Sequence, residues 1–313
     1  MSEAGSRSPP EGEGQAPLRQ GEGEGGIADG AHPHPDRQGA TGPSPSRGEG
    51  RAVLRAAATR IDRLDAEVLL AHALGIPRMT LLIDLDRAID PAAFAALVDR
   101  RAAGEPIAYI TGSREFWSLD LRVTADVLIP RPDSETLIDA AVAHFAGTGG
   151  PRRILDLGTG SGALLLAALS EWPAAGGVGV DASAAALGVA AGNAARLGFG
   201  ARARFVDGGW DAAAGAFDLV LCNPPYVATG DTLPRDVADW EPATALFAGH
   251  DGLDDYRALA PLIAGYVAPD AVACVEIGAT QADVVAALFA AEGLAVALRH
   301  DLAGLPRCLV VTK

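Results

Sequence analysis

Asn223-Pro224-Pro225-Tyr226 directly follows an apolar run, Phe217-Asp218-Leu219-Val220-Leu221-Cys222, and a glycine-rich turn, Asp156-Leu157-Gly158-Thr159-Gly160-Ser161-Gly162, starts its glycines 65 residues before Asn223. The first segment has the makings of a site for methylating a planar nitrogen. An amide nitrogen is a poor nucleophile because its lone pair is delocalised into the carbonyl, and it is too weakly acidic for a side-chain base to deprotonate. Two hydrogen-bond acceptors that take both N–H bonds push electron density back onto nitrogen. Asn223 Oδ1 and the Pro224 backbone carbonyl can form that pair. Pro224 and Pro225 fix φ and remove two competing donors, and Tyr226 can lie against the planar group and align it. Such a site works by proximity and preorganised electrostatics, with no covalent intermediate and no metal. Asn223, Pro224 and Tyr226 are the candidate catalytic residues, and Asn223 through Tyr226 the candidate acceptor site. N-P-P-Y alone also serves to end a strand. A place at the C-terminal edge of a strand, beside a glycine turn, favours chemistry.

The glycine turn is a candidate site for the methyl donor, S-adenosylmethionine. Gly158, Gly160 and Gly162 allow a sharp turn and bring backbone N–H groups close to a ligand at a helix N-terminus. Their spacing is G-x-G-x-G followed by Ala163, so the dinucleotide fingerprint G-x-G-x-x-G is not met. Asp181 ends the next strand, 23 residues after Gly158; it either accepts both ribose hydroxyls of an adenosine or caps the helix beginning near Ser183. Asp156 either caps the turn or faces the methionine ammonium. Trp210 stacks on adenine or packs as an ordinary hydrophobic side chain.

These segments need an α/β scaffold. Strands are expected near Arg153–Asp156, Val178–Asp181, Ala203–Val206, Phe217–Cys222 and Val272–Ile277, alternating with helices as in a doubly wound sheet. Leu294–His300 and Cys308–Thr312, joined by a turn with Gly304 and Pro306, read as an antiparallel pair, the methyltransferase variant of this architecture. Residues 51–112 have helical spacing and read as a small helical domain, with Asp90-Pro91 as a helix start. Alternation from Phe116 to Ile129 marks a β-hairpin linker, assigned to residues 113–130. The methyltransferase domain is then 131–313.

The first 50 residues are a Pro/Gly/Glu-rich tail that cannot bury enough apolar area to order itself; His32-Pro33-His34 within it reads as solvated chain. The tail has no apolar core and lacks the acid-poor character of a transit sequence. No segment reaches the roughly 18 uninterrupted apolar residues of a membrane span. Cys222, Cys274 and Cys308 are far apart and read as reduced thiols of a cytoplasmic protein. The net charge of −15, with four of the 25 basic residues and eight of the 40 acidic ones in the tail, leaves an acidic body. Such a body resists phosphate backbones, so neither direct nucleic-acid binding nor membrane binding is expected.

Further blocks narrow the reading. Ile129-Pro130-Arg131-Pro132-Asp133-Ser134-Glu135, Glu241-Pro242-Ala243-Thr244-Ala245-Leu246 and Asp251-Gly252-Leu253-Asp254-Asp255-Tyr256-Arg257 resemble the bacterial peptide chain release factor N5-glutamine methyltransferase family. Arg114-Glu115-Phe116-Trp117 and Asp301-Leu302-Ala303-Gly304 do so too. The resemblance spans residues 51–313 and implies a helical N-terminal domain, a hairpin linker and a seven-stranded, Rossmann-like catalytic domain. It implies methylation of the glutamine in the Gly-Gly-Gln motif of class 1 release factors, with the helical domain docking the factor. Carried over by motif, Gly158, Thr159, Gly160, Ser161, Gly162, Asp181, Trp210 and Asn223 would bind the cofactor. Asn223, Pro224, Pro225 and Tyr226 would hold the glutamine. Arg131 would orient the acceptor, order its loop or form a surface salt bridge. Ser134 stands where the family commonly has Thr. Gly209 precedes Trp210 where an acid is common, which leaves Asp207 and Trp210 both as candidates to approach adenine. The alternatives are an N6-adenine or N2-guanine methyltransferase of DNA or RNA, which calls for a basic stripe, and a cofactor-binding module without chemistry, which has no need of an amide clamp.

Overall fold

The computed structural model describes residues 49–85 and 87–313. The tail up to Gly48, including His32-Pro33-His34, lies outside them. Five helices come first: α1 (Glu49–Ala57), α2 (Arg63–Leu74), α3 (Arg78–Ile83), α4 (Pro91–Ala102) and α5 (Ile107–Thr111). Their boundaries follow from local chemistry. Asp62 accepts from Leu64 N to start α2, and Gly75 ends it at φ 63°. Asp90 accepts from Ala92 N and Ala93 N with Pro91 behind it, as its sequence suggests. Leu54, Leu69, Leu70, Leu81, Phe94 and Val98 point inward from four of these helices and bury one another in a small core.

A hairpin follows, β1 (Ser113–Phe116) and β2 (Leu119–Arg122). It is shorter than expected. The pairing stops at Arg122, and Val123, Val127 and Ile129 are buried outside any strand, against Ala108 and Ala186. A turn in which Thr124 and Asp126 bond each other and Val127 N bonds Thr124 O bends the chain away. Alternating burial continues past β2 because the segment threads between two packed surfaces.

The remaining elements are α6 (Glu135–His144), β3 (Arg153–Leu157), α7 (Ala163–Glu171), β4 (Gly176–Asp181), α8 (Ala184–Arg196), β5 (Ala203–Asp207), β6 (Phe217–Cys222), α9 (Arg235–Ala238), α10 (Asp254–Tyr266), β7 (Val267–Glu276), α11 (Ala282–Ala291), β8 (Ala295–His300) and β9 (Pro306–Thr312). They build a seven-stranded sheet in the order β5-β4-β3-β6-β7-β9-β8. β3 to β7 run parallel, and β9 is antiparallel to both β7 and β8. The fold is the expected α/β methyltransferase sheet. β7 starts earlier than the sequence suggests, at Val267, because a bulge absorbs Pro269 and Asp270, the latter at φ 59°, before pairing resumes at Val272. Cys222, Cys274 and Cys308 are buried free thiols. No helix among the described residues is long and apolar enough to cross a membrane.

The two chemical segments meet because β3 and β6 are neighbours. Leu157 lies opposite Cys222, so Gly158 and Asn223 leave adjacent strands at the same edge. Asn193 on α8 braces this edge from the side. Fully buried, it accepts from Arg122 N at 2.8 Å and donates to Arg122 O at 2.9 Å and Ser161 O at 3.0 Å. It thereby ties the hairpin to the glycine turn. Asn193→Ala strands these backbone groups without partners, and a loss of about 2–3 kcal/mol is expected in urea unfolding.

Candidate active site

The glycine turn is held almost wholly by its own neighbours. Gly158 N and Thr159 N both donate to Val180 O at 2.9 Å, Gly162 N donates to Thr159 O at 2.8 Å, and Gly160 N donates to Asp181 Oδ2 at 2.8 Å. Its three glycines take φ of 70°, 54° and 83°, a region costly to any residue with a β-carbon. This differs from an N–H cradle for a ligand: four of the amides expected to face outward are turned into the protein. What the glycines provide is close approach. A β-carbon on Gly158 would stand 3.2 Å from the Trp210 ring and 3.9 Å from Asn223 O.

Asp181 is a brace here and not a helix cap. Its Oδ1 accepts from Ser183 N at 2.9 Å, while α8 is capped by the Ser183 hydroxyl, which accepts from Ala186 N. Asp156 does cap the turn, accepting from Thr159 Oγ1 at 2.6 Å and Leu165 N at 3.2 Å. Its Oδ1 has no hydrogen-bond partner among the described residues. Burial pushes this carboxyl up to about 7, the two donated bonds oppose that shift, and the Asp181 charge adds to it. Trp210 leans over Gly158 with its indole N–H on Asp255 Oδ1 at 2.9 Å. Asp207 is exposed at the end of β5, opposite Asp181.

On the acceptor side, Asn223 Nδ2 donates to Ser134 Oγ at 3.2 Å. In this arrangement the amide nitrogen faces Ser134 and Oδ1 the other way. Among the described residues no donor engages Asn223 Oδ1 or the Pro224 carbonyl. Pro224 is buried, Pro225 half-buried. Tyr226 donates its hydroxyl to Glu276 Oε1 at 3.3 Å, and its backbone carbonyl accepts from Gln281 Nε2 at 3.0 Å. A β-carbon on Gly252, at φ 72°, would meet that carbonyl at 2.4 Å, so only glycine fits there.

The sequence blocks flanking the two motifs converge on this loop. Glu241, buried, accepts from Ile129 N at 3.1 Å and from the Arg131 guanidinium. Arg131 is thus engaged by an interior carboxylate, which orders the loop carrying Ser134. Val227 N donates to Leu246 O and Ala248 N to Val227 O, both at 2.9 Å. Asp255 holds Trp210. The sequence reading missed Glu241, Glu276 and Asp255 as individuals. Glu276 left a signal, a lone acid closing the apolar run Val272-Ala273-Cys274-Val275.

The PrmC N-terminal domain family matches residues 47–112, and the methyltransferase small domain family matches residues 134–239. The release factor glutamine methyltransferase of Rhodospirillum rubrum is 44% identical over 267 residues, covering 83% of this chain and 82% of that protein. That of Bradyrhizobium diazoefficiens is 42% identical over 273 residues, covering 84% and 92%. The chain belongs to the release factor glutamine methyltransferase family. Among solved structures, a release factor-specific protein-(glutamine-N5) methyltransferase from Alicyclobacillus acidocaldarius is 28% identical, with a TM-score of 0.36, covering 62% of this chain and 99% of that one.

The enzyme is a methyltransferase whose cofactor is S-adenosylmethionine. The residues present fit it. The unpartnered Asp156 Oδ1 lacks a positive group, and an ammonium at the turn supplies one. The glycines leave the turn without side-chain bulk beneath the Trp210 ring. Asp181 keeps spare lone pairs beside Gly160, since each oxygen accepts one bond.

Proposed function

We propose that the enzyme methylates the side-chain amide (N5) of the glutamine in the Gly-Gly-Gln motif of class 1 peptide chain release factors, in the cytoplasm. One observation carries this reading: Asn223, fixed by Ser134, leaves Oδ1 and the Pro224 carbonyl as two free acceptors on a proline-stiffened loop directly beside the glycine turn. Two acceptors suit a primary amide, which offers two N–H bonds. The names of the relatives, release factor glutamine methyltransferase, agree with it.

Bound at the glycine turn, S-adenosylmethionine supplies an electrophilic methyl group. Gly158 to Gly162, Asp181, Trp210 and the adjoining Asn223 are the residues proposed to hold it. Asn223 and Pro224 take the two amide hydrogens and raise the electron density on nitrogen, while Pro225 and Tyr226 shape the slot around the planar group. The methylated nitrogen sheds its proton after transfer, so no general base is called for. The helical domain is proposed to dock the factor; α3 leaves Met79 67% and Ile83 85% exposed, an apolar surface suited to a protein partner.

The test incubates the purified enzyme with labelled S-adenosylmethionine and, separately, a class 1 release factor, the same factor with its Gly-Gly-Gln glutamine replaced, and total RNA or DNA. Label on the intact factor alone is expected. Label on nucleic acid and none on the factor overturns the proposal in favour of an adenine or guanine N-methyltransferase.

A further inference from the structure

The hairpin that completes the sheet brings an apolar tip to the active-site edge. β7 reaches this edge at Glu276, one residue past the Val275 that lies opposite Cys222, and Glu276 lies opposite Cys308 on β9. β9 runs antiparallel to both β7 and β8, so the turn between His300 and Pro306 opens on the same edge as Asn223. It joins the second and third strands beyond β6 in the order β6-β7-β9-β8, which places it about 10–15 Å to the side of Asn223 at ordinary strand spacing. In this turn Leu302 is fully exposed and Leu305 nearly half exposed. The chemistry described so far uses neither.

A lone leucine on a protein surface is ordinary. This one is held out by a fastened loop. Asp301 tucks its carboxylate beneath the turn, with the side chain 4% exposed. Its Oδ1 accepts from Ala303 N and Leu305 N, both at 2.9 Å. Asp301 N donates to Leu305 O at 2.9 Å and Gly304 N to Asp301 O at 3.0 Å, with Gly304 at φ 79°. The mostly buried Arg307 then ties the turn to the acceptor loop, its guanidinium meeting Asp301 Oδ2 at 3.4 Å and Asp133 Oδ2 at 3.2 Å. Asp133 directly precedes Ser134, on which Asn223 leans. The acid of the turn thus faces inward against an arginine. Leu302-Ala303-Gly304-Leu305-Pro306 is left as an uncharged tip on a chain of net charge −15, at a fixed place beside the acceptor slot.

Size decides what meets that tip. A standard protein–protein contact covers about 800 Å² on each partner, a disc of about 16 Å radius if it is round. A folded protein that delivers a glutamine to Asn223 at the middle of such a disc covers the tip. The glycines beside that glutamine offer no side chain to grip, so recognition has to come from surface further out. We propose that Leu302, with Leu305 behind it, is a specificity-determining contact for the protein substrate, seated in an apolar depression of the release factor beside its glutamine-bearing loop. The inference deepens the proposed function and rests on it; it adds to the α3 surface a second contact, from the other end of the chain.

The test measures kcat and KM on a purified class 1 release factor, with S-adenosylmethionine affinity by calorimetry. Leu302→Ser, which removes apolar bulk without adding charge, is expected to raise KM for the factor about 10-fold, with kcat and cofactor affinity unchanged. Leu302→Met keeps the bulk and should stay within about twofold of wild type. At a fully exposed position both variants should keep the wild-type urea midpoint. A second measurement reads the contact directly. Cys222, Cys274 and Cys308 are buried, so Leu302→Cys introduces the one exposed thiol, and its alkylation should slow about 10-fold when the factor is saturating. Wild-type KM in Leu302→Ser overturns the inference, as do a loss confined to kcat, equal losses in the Ser and Met variants, or alkylation indifferent to the factor. Alkylation that slows with enzyme concentration alone also overturns it, by assigning the tip to a second copy of the chain. If Leu302→Ser fails to fold, the alkylation rates decide. A wild-type enzyme that leaves the factor unlabelled overturns the substrate reading instead, so the two failures are distinct.

Discussion

Asn223→Ala is expected to lower kcat by about 10²- to 10³-fold, with a far smaller loss of S-adenosylmethionine affinity, to which Asn223 is one contributor among several. The side chain supplies one of two acceptors to an amide whose lone pair is otherwise withdrawn, and that contribution grows as the nitrogen becomes positive in the transition state. Its removal therefore appears in turnover more than in ground-state binding. The cofactor should notice little, because Gly158, Gly160 and Gly162 are held by Val180, Asp181 and Thr159 and not by the Asn223 side chain. Initial rates on a release factor beside calorimetric titration of the cofactor separate the two effects. Near-normal turnover in this variant sinks the amide clamp.

The second large effect is on stability. Glu241→Ala is expected to lower the free energy of unfolding by about 2–4 kcal/mol, read from urea denaturation. Its carboxylate, 1% exposed, holds both the Ile129 N–H and the Arg131 guanidinium, which is itself 36% exposed. Removing the acid leaves a buried backbone donor and a partly buried cation without their partner. Water can reach Arg131, which keeps the figure below that of a fully interior pair. Turnover should fall as well, since this loop carries Ser134. Glu241→Gln keeps a carbonyl acceptor for one of the two donors and should lose less. An unchanged denaturation midpoint in Glu241→Ala would mean that the loop is fastened elsewhere.

The central parallel strands β3 and β6 were legible because they are buried on both faces: Ile154-Leu155 and Leu219-Val220-Leu221 are fully enclosed, and only near-continuous apolar runs can fill such places. The glycine turn was legible for a similar reason, since positive φ at three alternate positions leaves little choice of residue. What escaped was decided by partners far along the chain. Trp117 and Ser118 fall in the alternating stretch read as a hairpin, with nothing to place its turn, and they form that turn at φ 50° and 62°. Glu135 accepts from Trp117 N, Glu115 from Ser118 N and Glu171 from the Trp117 indole. Three carboxylates hold there a conformation that turn propensity assigns to Asn and Gly. Arg131 was open to three readings because its partner lies 110 positions away. Ser134 was visible only as a substitution that kept a hydroxyl; its work became clear once Asn223 was seen to lean on it.

The place of β9 in the sheet bears on how the enzyme is made. β9 lies between β7 and β8 although it follows both in sequence, and its first residues include Arg307, which braces Asp133 next to Ser134. A nascent chain synthesised as far as His300 has both motifs and every parallel strand, but β7 presents a bare edge and β8 has no strand to pair with. It also lacks the arginine that steadies the acceptor loop. Such an intermediate can assemble the cofactor half of the site well before the acceptor half. The sheet is complete only once its last strand has been made, and until then β7 is an unpaired edge of the kind that seeks another strand.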